Sequence, residues 1–136
     1  MPDSRQIVRD YAEAFSRGDI DAVCALFSPD AVIHGVFDGR LNSAREAWSN
    51  LISAFGITLE IEALCVEGEV VVARYIERGT FNAPFRGFSP TGRSYEVDAI
   101  HWFEIADGKI IRRWGARCTA SIARQIGITT NDVYEA

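Results

Sequence analysis

The chain has 136 residues, 48% of them hydrophobic and 24% charged, with a net charge of −5. That size and composition suit one globular domain with a real core, spanning 1–136, and exclude disorder as the default. The acidic balance lacks the basic face of a nucleic-acid binder, and no apolar run approaches the ~20 residues of a membrane span. Met1-Pro2-Asp3-Ser4-Arg5 has no apolar signal-peptide core, so a cytoplasmic protein without nucleic-acid or membrane partners is expected.

The first helix is predicted from about Arg5 to Arg17, with Ile7, Val8, Tyr11, Ala12 and Phe15 on one face, a cap at Asp3 or Ser4 and a stop at Gly18. A second, short helix carries Ile20, Val23, Cys24 and Phe27. Pro29 and Asp30 then break to a strand over Ala31–Val36. Ser43 and Glu46 form a capping box for a third helix whose apolar face is Ala47, Trp48, Leu51, Ile52 and Phe55.

After Gly56 the pattern changes to strands. Leu59, Ile61 and Ala63 alternate with Glu60 and Glu62, Gly68 marks a turn, and β-rich runs cover Val70–Phe81 and Ser94–Ile105. Asp107-Gly108 is a hairpin turn leading to Lys109–Cys118. A last helix spans about Thr119 to Ile126 and stops at Gly127; the core therefore runs from about 4 to 127, with a polar tail over 128–136.

Strand runs of about twelve residues would reach roughly 40 Å if flat. The sheet must therefore bend, with Gly79 a candidate bulge site. The fold class is α+β: a curved antiparallel sheet packed on three to four helices, which tends to enclose a ligand cavity. Trp48, Phe55, Phe81, Phe85, Phe88, Trp102, Phe103 and Trp114 favour a flat, apolar, aromatic or polycyclic ligand, with the loop Asn82 to Pro90 as mouth or lid.

Cys24, Cys65 and Cys118 are odd in number and widely spaced, which reads as free buried thiols rather than disulfides or a zinc site. Two isolated histidines and no glycine-rich phosphate loop point to no metal and no cofactor. Arg74, Glu77 and Asp98 are charges within apolar strands, read as solvated or paired across strands.

The element order, with Tyr11-Ala12-Glu13-Ala14-Phe15-Ser16-Arg17-Gly18-Asp19, Phe27-Ser28-Pro29-Asp30-Ala31-Val32, Arg78-Gly79-Thr80, Pro90-Thr91-Gly92-Arg93, Asp107-Gly108-Lys109-Ile110 and Trp114, resembles the SnoaL-like polyketide cyclases of the nuclear transport factor 2-like superfamily. The resemblance implies the conical fold, a homodimer through the outer sheet face, and chemistry such as aldol cyclisation, steroid isomerisation or epoxide hydrolysis.

It also implies site positions. Tyr11 and His101 fall where the related ketosteroid isomerases carry their two oxyanion donors, and Gly35 falls where they carry the aspartate base. Cys118 stands where cyclases and limonene epoxide hydrolases have a catalytic aspartate. Alternation puts His101 on one face with Ala99 and Phe103. His34 is a candidate replacement base, although Ile33 and Gly35 share the face on which relatives place theirs. The expected catalytic set is His101, Tyr11 and His34; the expected substrate contacts are Phe15, Trp48, Phe55, Phe81, Phe85, Phe103, Trp114 and Cys118. The leading expectation is cofactor-independent isomerisation or cyclisation through an enolate. The rivals are a non-catalytic binder of a hydrophobic metabolite and a pure dimerisation domain.

Overall fold

A computed structural model describes residues 3–35 and 38–128. Helix α1 covers Ser4–Ser16, with Asp3 accepting a 3.2 Å bond from the Arg5 amide. Ile7, Val8, Tyr11, Ala12 and Phe15 are buried along one side, and Gly18 turns the chain at φ +72°. Helix α2, Ile20–Ala25, starts at Asp19, whose carboxylate accepts from the Ala22 amide at 3.1 Å. An aspartate cap of this kind contributes about 1 kcal/mol.

Strand β1 is Phe27–His34, longer than the sequence suggests. It tolerates Pro29 because its ladder with the last strand loses register between Phe27 and Val32. The expected end of this strand at Val36 lies outside the described residues. Strand β2 is only Gly39–Arg40, and α3, Leu41–Phe55, leaves it directly. Helix α3 therefore begins two residues before Ser43, its N-cap Arg40 makes no side-chain cap bond, and the capping box does not form.

Strands β3 (Thr58–Glu67), β4 (Val70–Thr80), β5 (Ser94–Ala106) and β6 (Lys109–Arg117) follow, then α4 (Thr119–Ile126), which ends at Gly127 with φ +86°. Asp107 and Gly108 take φ values of +51° and +75°, the type I′ geometry that a two-residue hairpin favours. The single curled sheet has the order β2-β1-β6-β5-β4-β3. All neighbours are antiparallel except β1 and β6, which are parallel, so the sheet is mixed rather than purely antiparallel.

The bulges are not at Gly79, which pairs in register with Tyr95. They lie between Ile61 and Ala63 on β3 and on the β5–β6 ladder past Glu104. Gly79 serves another purpose: a Cβ there would sit 2.7 Å from Tyr95 Cε1, so its absence lets that ring lie across β4.

Helix α1 packs on β3 and β4, and α3 on β1, β2 and β4, so both cover the concave face. On β5, Tyr95, Val97, Ala99, His101, Phe103 and Ile105 point into the core; on β4, Val71, Ala73, Tyr75 and Glu77 do, and Phe81 is buried just beyond its end. A large apolar side chain buried in this way contributes about 1.5–3 kcal/mol. The thiols are free but not buried as expected: Cys24 is half-buried, while Cys65 and Cys118 are exposed. Cys65 faces out because the β3 bulge shifts Leu64 and Val66 inward.

Candidate functional site

Between the concave sheet and α1 and α3 lies a cavity of about 50 Å³. Its apolar wall is Phe15, Trp48, Leu51, Ile57 and Leu59; its polar wall is Tyr11, Glu77, His101, Arg113 and Arg117. A wider recess of about 400 Å³, edged by Pro84, Phe85 and Arg86, shares Leu51 and Arg117 with it and forms the mouth.

His101 reaches this wall because its cross-strand neighbours are small: Ala73 on β4 and Gly115 on β6. The Arg113 guanidinium fills the space over Gly115, where a Cβ would lie 2.8 Å from Cζ. From there Arg113 Nη2 meets His101 Nε2 at 3.1 Å. Arginine only donates, so Nε2 accepts and the imidazole proton is on Nδ1. Burial, then the charges of Arg113 and Arg117, hold the His101 pKa well below its usual value, so the ring is neutral near pH 7.

The Tyr11 ring stands edge-on to His101 with centroids 5.9 Å apart, and packs on Phe103 at 5.1 Å. Burial raises its pKa, with Arg113 pulling the other way, so the phenol keeps its proton. Tyr75 meets the other side of the cluster, 4.9 Å from the His101 ring. Glu77 is 3% exposed. Its Oε2 accepts from Tyr95 Oη at 2.5 Å and from Arg117 Nη1. Burial works against the Arg117 charge, but Glu77 and Tyr95 outweigh it and raise the pKa. Burial likewise pushes the Tyr95 hydroxyl up.

The SnoaL-like domain family matches residues 8–113. The chain belongs to that family. Among solved structures, this SnoaL-like chain is similar to wild-type IdmH from Streptomyces antibioticus, a candidate polyketide cyclase, at 24% identity and TM-score 0.83 over 93% of this chain and 100% of that one. It is similar to TsrD from Streptomyces laurentii at 26% identity and TM-score 0.80, over 90% and 93% of the two chains. AclR from Streptomyces galilaeus, a candidate hydroxylase, matches at 20% identity and TM-score 0.84, over 91% and 95%. No curated protein matches the chain in sequence.

Several residues expected in this SnoaL-like site lie elsewhere. His34 is on the outer sheet face, stacked on Trp114 with centroids 5.0 Å apart and bonded to Asp38 at 2.8 Å. Strand parity decides this, since Ile33 takes the inner side. Trp114 is 37% exposed on that outer face, beside Trp102. Cys118 is the exposed N-cap of α4, beyond the end of β6. Phe103 lies beneath Tyr11 rather than at the cavity surface, and Phe55 and Phe81 form a separate cluster with Phe85, which reaches the mouth. A side chain at Gly35 would meet the Gly115 carbonyl at 3.0 Å.

Glu77, Arg113 and Arg117 are the site residues that reading the sequence did not find. Glu77 was legible: it shares parity with Ala73 and Tyr75. Arg113 was not, because Ile110 and Arg113 both face inward across an irregularity in β6 that period-two counting misses. Arg74 and Asp98 do pair on the outer face, at 3.7 Å. Among the described residues no helix is long and apolar enough to cross a membrane, and no cluster of His, Cys, Asp and Glu could hold a metal.

Proposed function

We propose that this SnoaL-like protein isomerises or cyclises a small, largely apolar carbonyl compound through an enolate, with its own side chains and no cofactor. The observation that supports this is the meeting of Tyr11, Glu77, His101, Arg113 and Arg117 on one wall of a cavity otherwise built from Phe15, Trp48, Leu51, Ile57 and Leu59. Perturbed titratable groups gathered in a water-excluding recess are the usual mark of acid–base chemistry.

Glu77 takes the role first expected of His34. Tyr95 and Arg117 both bind Oε2, which leaves Oε1 to remove a proton from the carbon beside the carbonyl. The electron pair moves to the carbonyl oxygen, where the Tyr11 hydroxyl and His101 Nδ1–H donate to the developing charge. The enolate carbon then regains a proton, giving an isomer, or attacks a second carbonyl of the same molecule, giving a ring. A cavity of about 50 Å³ holds only a few waters. A polycyclic ligand must therefore enter through the mouth and displace Leu51 and Arg117.

The test is deuterium incorporation in D2O from a panel of cyclic β,γ-unsaturated ketones and aromatic 1,3-diketones, read by mass spectrometry. Wild type should accelerate exchange, and Glu77→Gln and Tyr11→Phe should each lose about 100-fold or more. A compound that quenches Trp48 but exchanges no faster than in buffer would overturn the reading. It would favour a non-catalytic binding protein, an alternative motivated by Gly35 and the exposed Cys118.

The outer sheet face supports a homodimer. Ile100, Trp102 and Trp114 are 50%, 43% and 37% exposed there, an apolar group larger than scattered surface residues explain. Two exposed free thiols suit a reducing, cytosolic setting.

A further inference from the structure

Arg113 is 8% exposed, yet no carboxylate lies within ion-pairing distance of it among the described residues. A guanidinium is always charged, and buried charges are ordinarily paired. The Arg113 contacts are neutral: the His34 carbonyl at 3.3 Å, His101 Nε2 at 3.1 Å, and the Trp48 ring centre 5.6 Å from Cζ. Arg117, by contrast, is matched by Glu77.

The cavity wall thus holds two guanidinium groups against one carboxylate, an excess of one positive charge. Three of the residues that line the cavity carry a buried polar atom without a hydrogen-bond partner: Tyr11 Oη, His101 Nδ1 and Arg113 Nε. Each can donate a hydrogen bond. A surplus of buried donors beside an unpaired cation is the complement of an anion that only accepts. The absent side chain at Gly115 leaves the room that the guanidinium occupies at this wall.

We propose that the ligand of this cavity is a small apolar carboxylic acid, bound as its carboxylate against Arg113. The inference rests on the cavity being the ligand site and not on turnover. Within the enolate reading, it makes the substrate a keto acid. The apolar wall takes its carbon skeleton, and Arg113 forms a charge-assisted pair with its carboxylate.

The test compares 2-naphthoate with methyl 2-naphthoate and 2-naphthamide at pH 7.5, by calorimetry and Trp48 quenching. The acid should bind at least about tenfold more tightly than either neutral analogue in wild type. In Arg113→Met, checked for fold by circular dichroism, the ratio should fall to about one. Equal or weaker binding of the acid in wild type overturns the proposal, as does binding of none of the three. Retention of the preference in folded Arg113→Met does so too. If that variant does not fold, Gly115→Ala, which displaces the guanidinium, must reduce the ratio. Acid binding without deuterium exchange of any ketone would defeat the enolate chemistry alone. Exchange of neutral ketones with no preference for the acid would defeat this proposal alone.

Discussion

The Tyr95 ring lies across Gly79, and its hydroxyl donates a 2.5 Å hydrogen bond to Glu77 Oε2. Gly79 and Tyr95 are direct partners on β4 and β5, and Glu77 is the next inward residue on β4. One absent side chain therefore sets the ring that orients the carboxylate.

Filling that space should be costly. Gly79→Ala places a methyl 2.7 Å from Tyr95 Cε1 and should lose about 1–3 kcal/mol in urea unfolding. Tyr95→Phe keeps the ring and removes only the bond to a charged group, at a cost of about 1.5–3 kcal/mol. A neutral result for both variants would mean that the ring does not support Glu77.

The contact between Arg113 and His101 fixes a tautomer. Nitrogen-15 spectra should show His101 with a bare Nε2 and a protonated Nδ1 near pH 7. In Arg113→Met that constraint is gone, and the Nε2–H form should gain population. A wild-type spectrum already dominated by Nε2–H would contradict the arrangement.

His101 should also appear in the pH dependence of stability. Its native pKa is lowered by burial and by Arg113 and Arg117, while an unfolded histidine titrates near pH 6.5. Below about pH 6.5 the unfolded chain takes up a proton that the native ring refuses, so this contribution is lost as pH falls, by up to about 1.4 kcal/mol per unit. Urea unfolding at pH 8, 6.5 and 5.5 should show the decline, and His101→Gln should lessen the slope by one proton. Equal slopes in the two proteins would show that His101 titrates normally.

The outer face offers a separate test. Trp102→Glu and Trp114→Glu put charge among Ile100 and the remaining tryptophan. Each should convert a dimer to monomer in sedimentation velocity with the far-ultraviolet spectrum unchanged. Identical sedimentation of wild type and both variants would rule out this interface.

Most of the fold was legible because its periodicities run unbroken. Alternation put His101 on one face of β5 with Ala99 and Phe103, the face that is buried, and the stripe on α1 did the same for Tyr11. The sequence signal failed where geometry changes within an element. A slip in β6 turned Arg113 inward and left Trp114 outside, and β6 ended before Cys118. Helix α3 began directly at the end of β2 instead of at its capping signal. Glu77 was read as solvated or paired across strands, and the second holds: its counterion is Arg117, 40 positions away. Its burial was legible only from its place in the alternation among buried residues.

The parallel pairing of β1 with β6 has a consequence for synthesis. Phe27 sits beside Ile110, and His34 beside Trp114. The meander from β3 to β6 can assemble from neighbours as it leaves the ribosome, but β1, paired until then only with the two-residue β2, cannot join that meander until β6 has emerged. Until then the edge of β1 that faces β6 stays unpaired. A nascent chain stalled before residue 110 is therefore the species most exposed to aggregation and to chaperone capture.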